Sequence, residues 1–231
     1  MTTPIRCLLV VCALAALAAL VDGAALAGDA AAPAAAPTGG VVRGRVKIPA
    51  GGDASTVFVY LKGTGLSRTV PREPKLIRQR NKQFSPRVLA VVRGTTIDFP
   101  NDDRIMHNVY SRTPGSLFDL GHYKKGASKA VTFTKTGPVD IYCNIHPQMV
   151  ATVLVVDNDF YTPVAADGAF ELRDVPAGKY EVAAWMPFSA VTTRPVEVKA
   201  GAVAAITLEV AAPNRKQEHL NKDNMPYGRY K

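Results

Sequence analysis

The residues of this chain best suited to chemistry lie together in the run Cys143-Asn-Ile-His146-Pro-Gln-Met149. An apolar run at 139–142 precedes them and another at 152–156 follows, so the three side chains share one tight loop between two predicted strands. A thiolate, an imidazole and a thioether are soft ligands, and this set selects copper over magnesium or calcium. The run therefore predicts part of a copper site.

A second imidazole has to come from elsewhere in the chain, where three histidines remain. His107 follows a strand-and-turn pattern at 95–103 and is far enough from Cys143 for intervening strands to bring the two together. His122 lies in a basic loop bounded by glycines, where we expect an exposed side chain, and His219 lies in the C-terminal tail. A trigonal His₂Cys site with a weak axial methionine is the blue-copper arrangement. The four predicted ligands are His107, Cys143, His146 and Met149.

A cleavable signal peptide at the N-terminus would reduce the number of cysteines in the mature protein. A short basic segment, an apolar stretch at 7–21 and the motif Ala25-Leu-Ala27 predict a signal peptide over residues 1–27 and export to the periplasm. The apolar stretch is short for a transmembrane anchor, which needs about 20 residues, so we expect no membrane span after cleavage. Cys7 and Cys12 would leave with the signal peptide. Cys143, alone in an oxidising compartment, is then a reactive thiol, half of an intermolecular bridge or a metal ligand.

The formal net charge of the whole chain is +9, part of it concentrated in a basic tail at 212–231. A positive net charge favours binding to nucleic acid, to an anionic surface or to an acidic protein partner. Export argues against nucleic acid, and we expect the tail to be solvated rather than to act as a docking arm.

The elements that position the predicted ligands are strands. Between residues 41 and 210, short alternating or β-branched runs are separated by Gly, Pro, Asn and Asp, and no window outside the signal peptide has a helical period with caps. This pattern predicts an all-β protein, with more residues than one sandwich of about 100 residues needs. The candidate strands are 41–48, 56–61, 87–92, 95–99, 109–111, 130–134, 139–144, 152–156, 169–172, 178–185, 193–198 and 204–210.

Residues 84–157 resemble a cupredoxin, the family of plastocyanin, pseudoazurin and amicyanin. The resemblance is carried by Phe84-Ser-Pro86, Thr96-Ile-Asp-Phe99, Asn101-Asp102 before His107-Asn108, and Cys-x₂-His-x₂-Met with Pro147, a spacing most similar to amicyanin. It implies a Greek-key β-sandwich in which both imidazoles bind through Nδ, Met149 is a weak axial ligand, and Asn108 holds the ligand loop by hydrogen bonds.

The same resemblance, with the predicted signal peptide, implies an exported type 1 (blue) copper protein. Four protein ligands would leave no open coordination position for a substrate and no general base is predicted beside them, so we expect that the protein is not an enzyme. It would pass single electrons between periplasmic partners such as a c-type cytochrome and a dehydrogenase. The alternatives are a copper storage or delivery protein, a metal-free relative of the family, and a structural module. We expect electrons to leave at an outward-facing His146 with an apolar rim of Met106, Pro147 and Val150. The basic groups near this rim in sequence are Arg104, Arg112, Lys124 and Lys125.

Residues 162–210 resemble the second part of a transthyretin-like (carboxypeptidase regulatory-like) domain, through Ala166-Asp-Gly-Ala-Phe-Glu-Leu172 and Val175-Pro-Ala-Gly-Lys-Tyr180. The first two strands of that family match 41–46 and 56–60, so the copper module is predicted to be inserted into a smaller β-sandwich; alternatively, these strands join the cupredoxin sheet. The predicted layout is a signal peptide (1–27), a flexible Ala/Pro linker (28–40), a discontinuous transthyretin-like sandwich (41–69 and 158–211), a cupredoxin domain (70–157) and a basic tail (212–231).

Overall fold

The computed structural model describes residues 38–63, 65–213 and 219–227. The predicted signal peptide, with Cys7 and Cys12, lies outside the described residues. The described chain is all-β, as predicted, with one short 3₁₀ turn at Ala54–Thr56. No helix among the described residues is long and apolar enough to cross a membrane.

The strands, in chain order, are β1 (Gly39–Lys47), β2 (Phe58–Lys62), β3 (Lys75–Leu76), β4 (Arg78–Arg80), β5 (Gln83–Ser85), β6 (Val88–Val92), β7 (Thr96–Asp98), β8 (His107–Ser111), β9 (Phe118–Tyr123), β10 (Ala130–Thr132), β11 (Gly137–Tyr142), β12 (Val150–Val156), β13 (Tyr161–Pro163), β14 (Ala169–Pro176), β15 (Gly178–Trp185), β16 (Thr192–Val198) and β17 (Val203–Glu209).

The middle of the chain forms a five-stranded sheet in the order β6-β12-β11-β8-β9 and a three-stranded sheet in the order β10-β7-β3. Side chains from both sheets meet in one apolar cluster, to which Ile97 and Phe99 contribute from one side and Val109 and Val153 from the other. Cys143 and Met149, both fully buried, belong to the same cluster. The loop that carries the predicted ligands is therefore anchored in the core of this half.

Strands that precede and follow this middle segment form a second sandwich. Its sheets have the orders β14-β1-β17 and β13-β2-β15-β16, so strands before and after the middle segment pair with one another. Gly44 permits the close pairing of β1 with β17, because a Cβ atom there would lie 1.7 Å from the carbonyl oxygen of Ile206. This pairing supports the proposed insertion, while the transthyretin-like assignment and the domain boundaries remain predictions.

A third apolar cluster lies where the two sandwiches meet. Successive residues of a strand point to opposite faces, so β12 sends Val153 and Val155 into the core around Cys143, and Leu154 and Val156 into the third cluster. Trp185 of the other sandwich, fully buried, packs into this third cluster. All seven residues of β12 are buried, and six of them are apolar; the exception, Thr152, donates its hydroxyl to a carboxylate oxygen of Asp140 (3.1 Å).

The structure differs from the sequence prediction at several elements. Strands β3, β4, β5, β9 and β13 were not predicted, because β9 is interrupted by Gly121 and the other four have only two or three residues. In the β4–β5 hairpin only the central residues, Gln79 and Phe84, are buried, so the alternation is too brief to recognise. His122 lies on β9 rather than in a loop, although it is exposed as predicted. Strand β1 begins at Gly39, inside the predicted flexible linker.

Candidate metal centre

The predicted ligands lie at one end of the five-stranded sheet. His107 is the first residue of β8, and Cys143 directly follows β11. These strands are antiparallel neighbours with Tyr110 opposite Tyr142, which sets the start of β8 beside the loop after β11. That loop, residues 143–149, returns directly into β12, which pairs with β11 along its length. Two backbone bonds close the loop, from Cys143 N–H to the oxygen of Met149 (3.2 Å) and from Met149 N–H to the oxygen of His146 (3.0 Å).

Three donor atoms converge at this end of the sheet. The sulfur of Cys143 and one ring nitrogen each of His107 and His146 lie within 4.8 Å of one another, and no other such group of His, Cys, Asp or Glu occurs in the described ranges. The Nδ1 atoms of the two histidines are 3.2 Å apart, and the Cys143 sulfur is 3.8 Å from His146 Nδ1. Cys143 and His107 are fully buried, whereas His146 is partly exposed.

The hydrogen bonding around His107 turns its Nδ1 lone pair towards this point. Its Nε2 lies 2.8 Å from a carboxylate oxygen of Asp103, which accepts, so Nε2 carries the hydrogen and Nδ1 of the neutral ring is a lone-pair donor. Burial lowers the pKa of His146, and the neighbouring His107 and Lys82 act in the same direction, which favours the neutral form of His146. Two imidazole nitrogens and a thiol thus converge in a buried place, which fits a soft or borderline metal ion such as copper.

Asp103 is itself held in place by the β4–β5 hairpin. Its carboxylate accepts the backbone N–H groups of Asn81 (2.7 Å) and Lys82 (2.8 Å), two turn residues with φ of 55° and 54°. Burial acts to raise the pKa of Asp103, but the hydrogen bonds from Lys82, His107 and Asn81 lower it overall, so the group is ionised. Sequence analysis did not assign Asp103 a role; its position four residues before His107 is the one local signal that could have suggested it.

The loop has further bonds that fix the cysteine and its neighbours. Asn144 N–H donates to the side-chain oxygen of Asn108 (3.2 Å), so the expected bond from Asn108 to the loop is present. Ile145 N–H donates to the Cys143 sulfur (3.4 Å), which helps to fix the position of the sulfur. Met149 is fully buried in the same apolar cluster as Cys143. Its role as the axial ligand remains a prediction.

The other histidines are placed differently. His122 is exposed on β9 and belongs to no group of converging donors in the part of the chain that the structure describes. His219 lies outside the group of converging donors, but its Nε2 is 3.0 Å from the carbonyl oxygen of Pro147, within the ligand loop. The expectation of a wholly solvated tail is therefore wrong, because residues 219–227 contact the loop. Polar contacts between residues so far apart in sequence leave no local pattern.

The chain matches no family model and no curated protein. Among solved structures, it is similar to a purple cupredoxin from Nitrosopumilus maritimus, with 27% identity and a TM-score of 0.32 over 35% of this chain and 98% of the other. It is also similar to a reduced mutant of amicyanin, with 22% identity and a TM-score of 0.35 over 42% of this chain and 97% of the other. A Cu-containing nitrite reductase from Thermus scotoductus shows 22% identity and a TM-score of 0.36, over 49% of this chain and 28% of the other. Each similarity extends over less than half of this chain.

If His107 is a copper ligand, substituting Asp103 by Asn should weaken copper binding by roughly 10- to 100-fold, the usual effect of losing a carboxylate that orients a ligating histidine. The amide keeps one acceptor oxygen but presents an N–H₂ group to the donors that surround it. Competition with a chromophoric Cu(I) chelator measures the affinity. Asp102→Asn is the matched control, because Asp102 pairs with exposed Arg78. Equal affinities of the two variants would contradict the role given to Asp103.

Proposed function

We propose that this protein is an exported type 1 copper protein that passes single electrons and carries out no substrate chemistry. One copper ion would be held by His107, Cys143, His146 and Met149. The observation that carries the proposal is the convergence of a cysteine sulfur and one ring nitrogen from each of two histidines within 4.8 Å of one another at one end of the five-stranded sheet. The periplasmic location rests on the predicted signal peptide.

The residues of the site suit a centre that gains and loses one electron without rearranging. Copper would supply the change between Cu(I) and Cu(II). The protein holds the donors on strand ends and on a hydrogen-bonded loop, so the same geometry serves both oxidation states and little has to move. His107 is oriented by Asp103, and Asn144 is bonded to Asn108. Such outer contacts fix ring orientation and tune the metal.

The surface beside His146 supports an electron-transfer contact. Met106 is 57% exposed and Ile105 is 41% exposed, and Pro147 is exposed as well. Val150 is buried, so its predicted place in the apolar rim is wrong, because it begins β12 inside the core. A small apolar contact permits rapid release of a partner.

A basic cleft adjoins this surface, and its exposed cations are Arg80, Lys82, Arg104 and Lys125. The cleft is also lined by Asp103, which bonds His107, and the charge of Lys82 acts on the pKa of His146. The cations therefore lie close enough to steer a partner towards the site. Complementary charge raises the association rate of an acidic partner, and salt screens the effect. We therefore propose acidic redox proteins as partners, such as a c-type cytochrome or a dehydrogenase.

Rapid mixing of the Cu(I) protein with hexacyanoferrate(III), a small anionic oxidant, tests this function against copper delivery. The exposed thioether of Met106, next to His107, is the feature that would favour delivery. We expect fast oxidation that slows as ionic strength rises, with copper retained by the protein through repeated cycles. Slow oxidation, combined with rapid loss of copper to a chelator, would instead identify a delivery protein.

The steering charges are tested in the same experiment with Arg104→Glu, which should slow oxidation by hexacyanoferrate(III) several-fold and reduce its salt dependence. Lys199→Glu is the control, since it makes the same change in net charge at an exposed turn after β16. If both variants slow the reaction equally, net charge rather than the cleft steers the oxidant.

A further inference from the structure

We propose that residues 219–227 form a C-terminal strap that fixes the metal-ligand loop, with Tyr227 and Lys222 as positioning residues. The effect of the strap on copper binding rests on the proposed function. The contacts of the strap are made by protein atoms alone, so the strap is testable independently. Of the two residues, Tyr227 acts on the backbone of the cysteine, and Lys222 acts on the loop residue that follows it.

The side chain of Tyr227 contacts the backbone of Cys143, the predicted thiolate ligand. Its hydroxyl donates to the carbonyl oxygen of Cys143 at 2.9 Å, and the hydroxyl oxygen lies 3.1 Å from His219 Nδ1. The imidazole of His219 packs against the ring of Tyr142, with centroids 4.2 Å apart, and its Nε2 meets the carbonyl oxygen of Pro147. The strap therefore contacts the loop both at its start and beyond His146.

Lys222 closes a ring of four hydrogen bonds around Asn144. Its backbone N–H donates to the side-chain oxygen of Asn144 at 2.8 Å, while its ammonium group donates to Asp119 at 2.8 Å. Asp119 accepts from the amide of Asn108, whose oxygen accepts Asn144 N–H. The hydrogen bond and the ion pair with Asp119 raise the pKa of Lys222. Asn108, next to His107 in sequence, is thereby linked to the residue next to Cys143.

The strap is also folded within itself and anchored outside the loop. Asn221 accepts the backbone N–H groups of Asp223 and Met225 through its side-chain oxygen, at 2.9 and 3.0 Å. Arg112 donates to the side chain of Asn224, and the Tyr110 hydroxyl donates to the Leu220 carbonyl. A segment with its own turn and several anchors resists displacement, so it can hold the loop in one conformation. We expect a ligand loop fixed by the strap to release copper slowly. Slow release suits a permanently bound copper ion better than one carried for delivery.

The test is hydrogen exchange, followed by NMR, at the backbone amides of Cys143, Asn144 and Met149 in the metal-free protein. Tyr227→Phe removes one hydrogen bond to the loop, and exchange at these amides should accelerate roughly three- to tenfold. Adding Lys222→Ala removes the bond from the ammonium group to Asp119, which in turn holds Asn108 against the loop, so exchange should accelerate further. Tyr180→Phe is the matched control, because that hydroxyl also donates to a carbonyl oxygen, of Pro176, but in the other sandwich. Unchanged exchange in the doubly substituted chain would overturn the inference.

The same variants carry a second readout when copper is added. Tyr227→Phe should shift the sulfur-to-copper absorption band and speed the loss of Cu(I) to a chelator by a similar factor, whereas Tyr180→Phe should do neither. A shift of equal size in both variants would contradict a local role for the strap. If the unmodified chain fails to bind copper, the proposed function is wrong, but the exchange experiment still decides whether the strap fixes the loop.

Discussion

Copper-loaded Cys143→Ser protein should be almost colourless, whereas the unmodified protein should absorb intensely in the visible. The strong absorption of a Cu(II) thiolate arises from charge transfer out of sulfur, and a serine hydroxyl cannot replace it. Because sulfur is also the softest anionic donor of the site, copper affinity should fall by more than the roughly 10- to 100-fold expected for an outer contact. Absorption spectroscopy and chelator competition measure the two effects.

The control for this substitution is His122→Ala. His122 is an exposed histidine outside the cluster of donors, so its removal should leave both the colour and the affinity unchanged. A blue Cys143→Ser protein would refute the thiolate assignment. A His122→Ala protein that loses its colour would show that His107 is not the second imidazole ligand.

Replacing Leu154 by Ala should lower the free energy of unfolding by about 2–5 kcal/mol, the usual effect of truncating a fully buried leucine side chain. Leu154 is fully buried in the cluster between the two sandwiches, where it packs with Trp185 and Val156. Its side chain points away from the apolar core around Cys143, because Val153 and Val155 occupy that face of β12. The variant should therefore retain the copper spectrum while losing stability, as measured by urea unfolding.

Leu117→Ala makes the same substitution at a side chain that is 70% exposed, and it should change the unfolding free energy by less than about 0.5 kcal/mol. Similar losses for Leu117→Ala and Leu154→Ala would mean that the third cluster does not stabilise the protein. It would also mean that packing in this cluster does not stabilise the contact between the two sandwiches.

The features that sequence analysis could predict are those with local patterns. The loop between β11 and β12 was visible because apolar runs flank Cys143, His146 and Met149 within a few residues. His107 was distinguished from His122 by its neighbours, and the structure brings only the former to the loop. Strong alternation also marked β1 and β15, both close to their predicted bounds.

The features that sequence analysis missed depend on contacts between distant residues. The bond from Tyr227 to Cys143 and the ion pair of Lys222 with Asp119 each join parts of the chain that no short pattern connects. The tail is polar and basic, which is typical of a solvated segment. Its described residues 219–227 contact the loop because individual polar groups form hydrogen bonds there.

The central claim, that one copper ion binds at the cysteine and histidine cluster, is tested most directly by an optical titration of the unmodified protein with Cu(II). We predict an intense visible band that grows until one copper per chain is bound and disappears when one electron per copper is added. A titration that yields only weak absorption at saturation would contradict the claim. So would a band that persists after reduction.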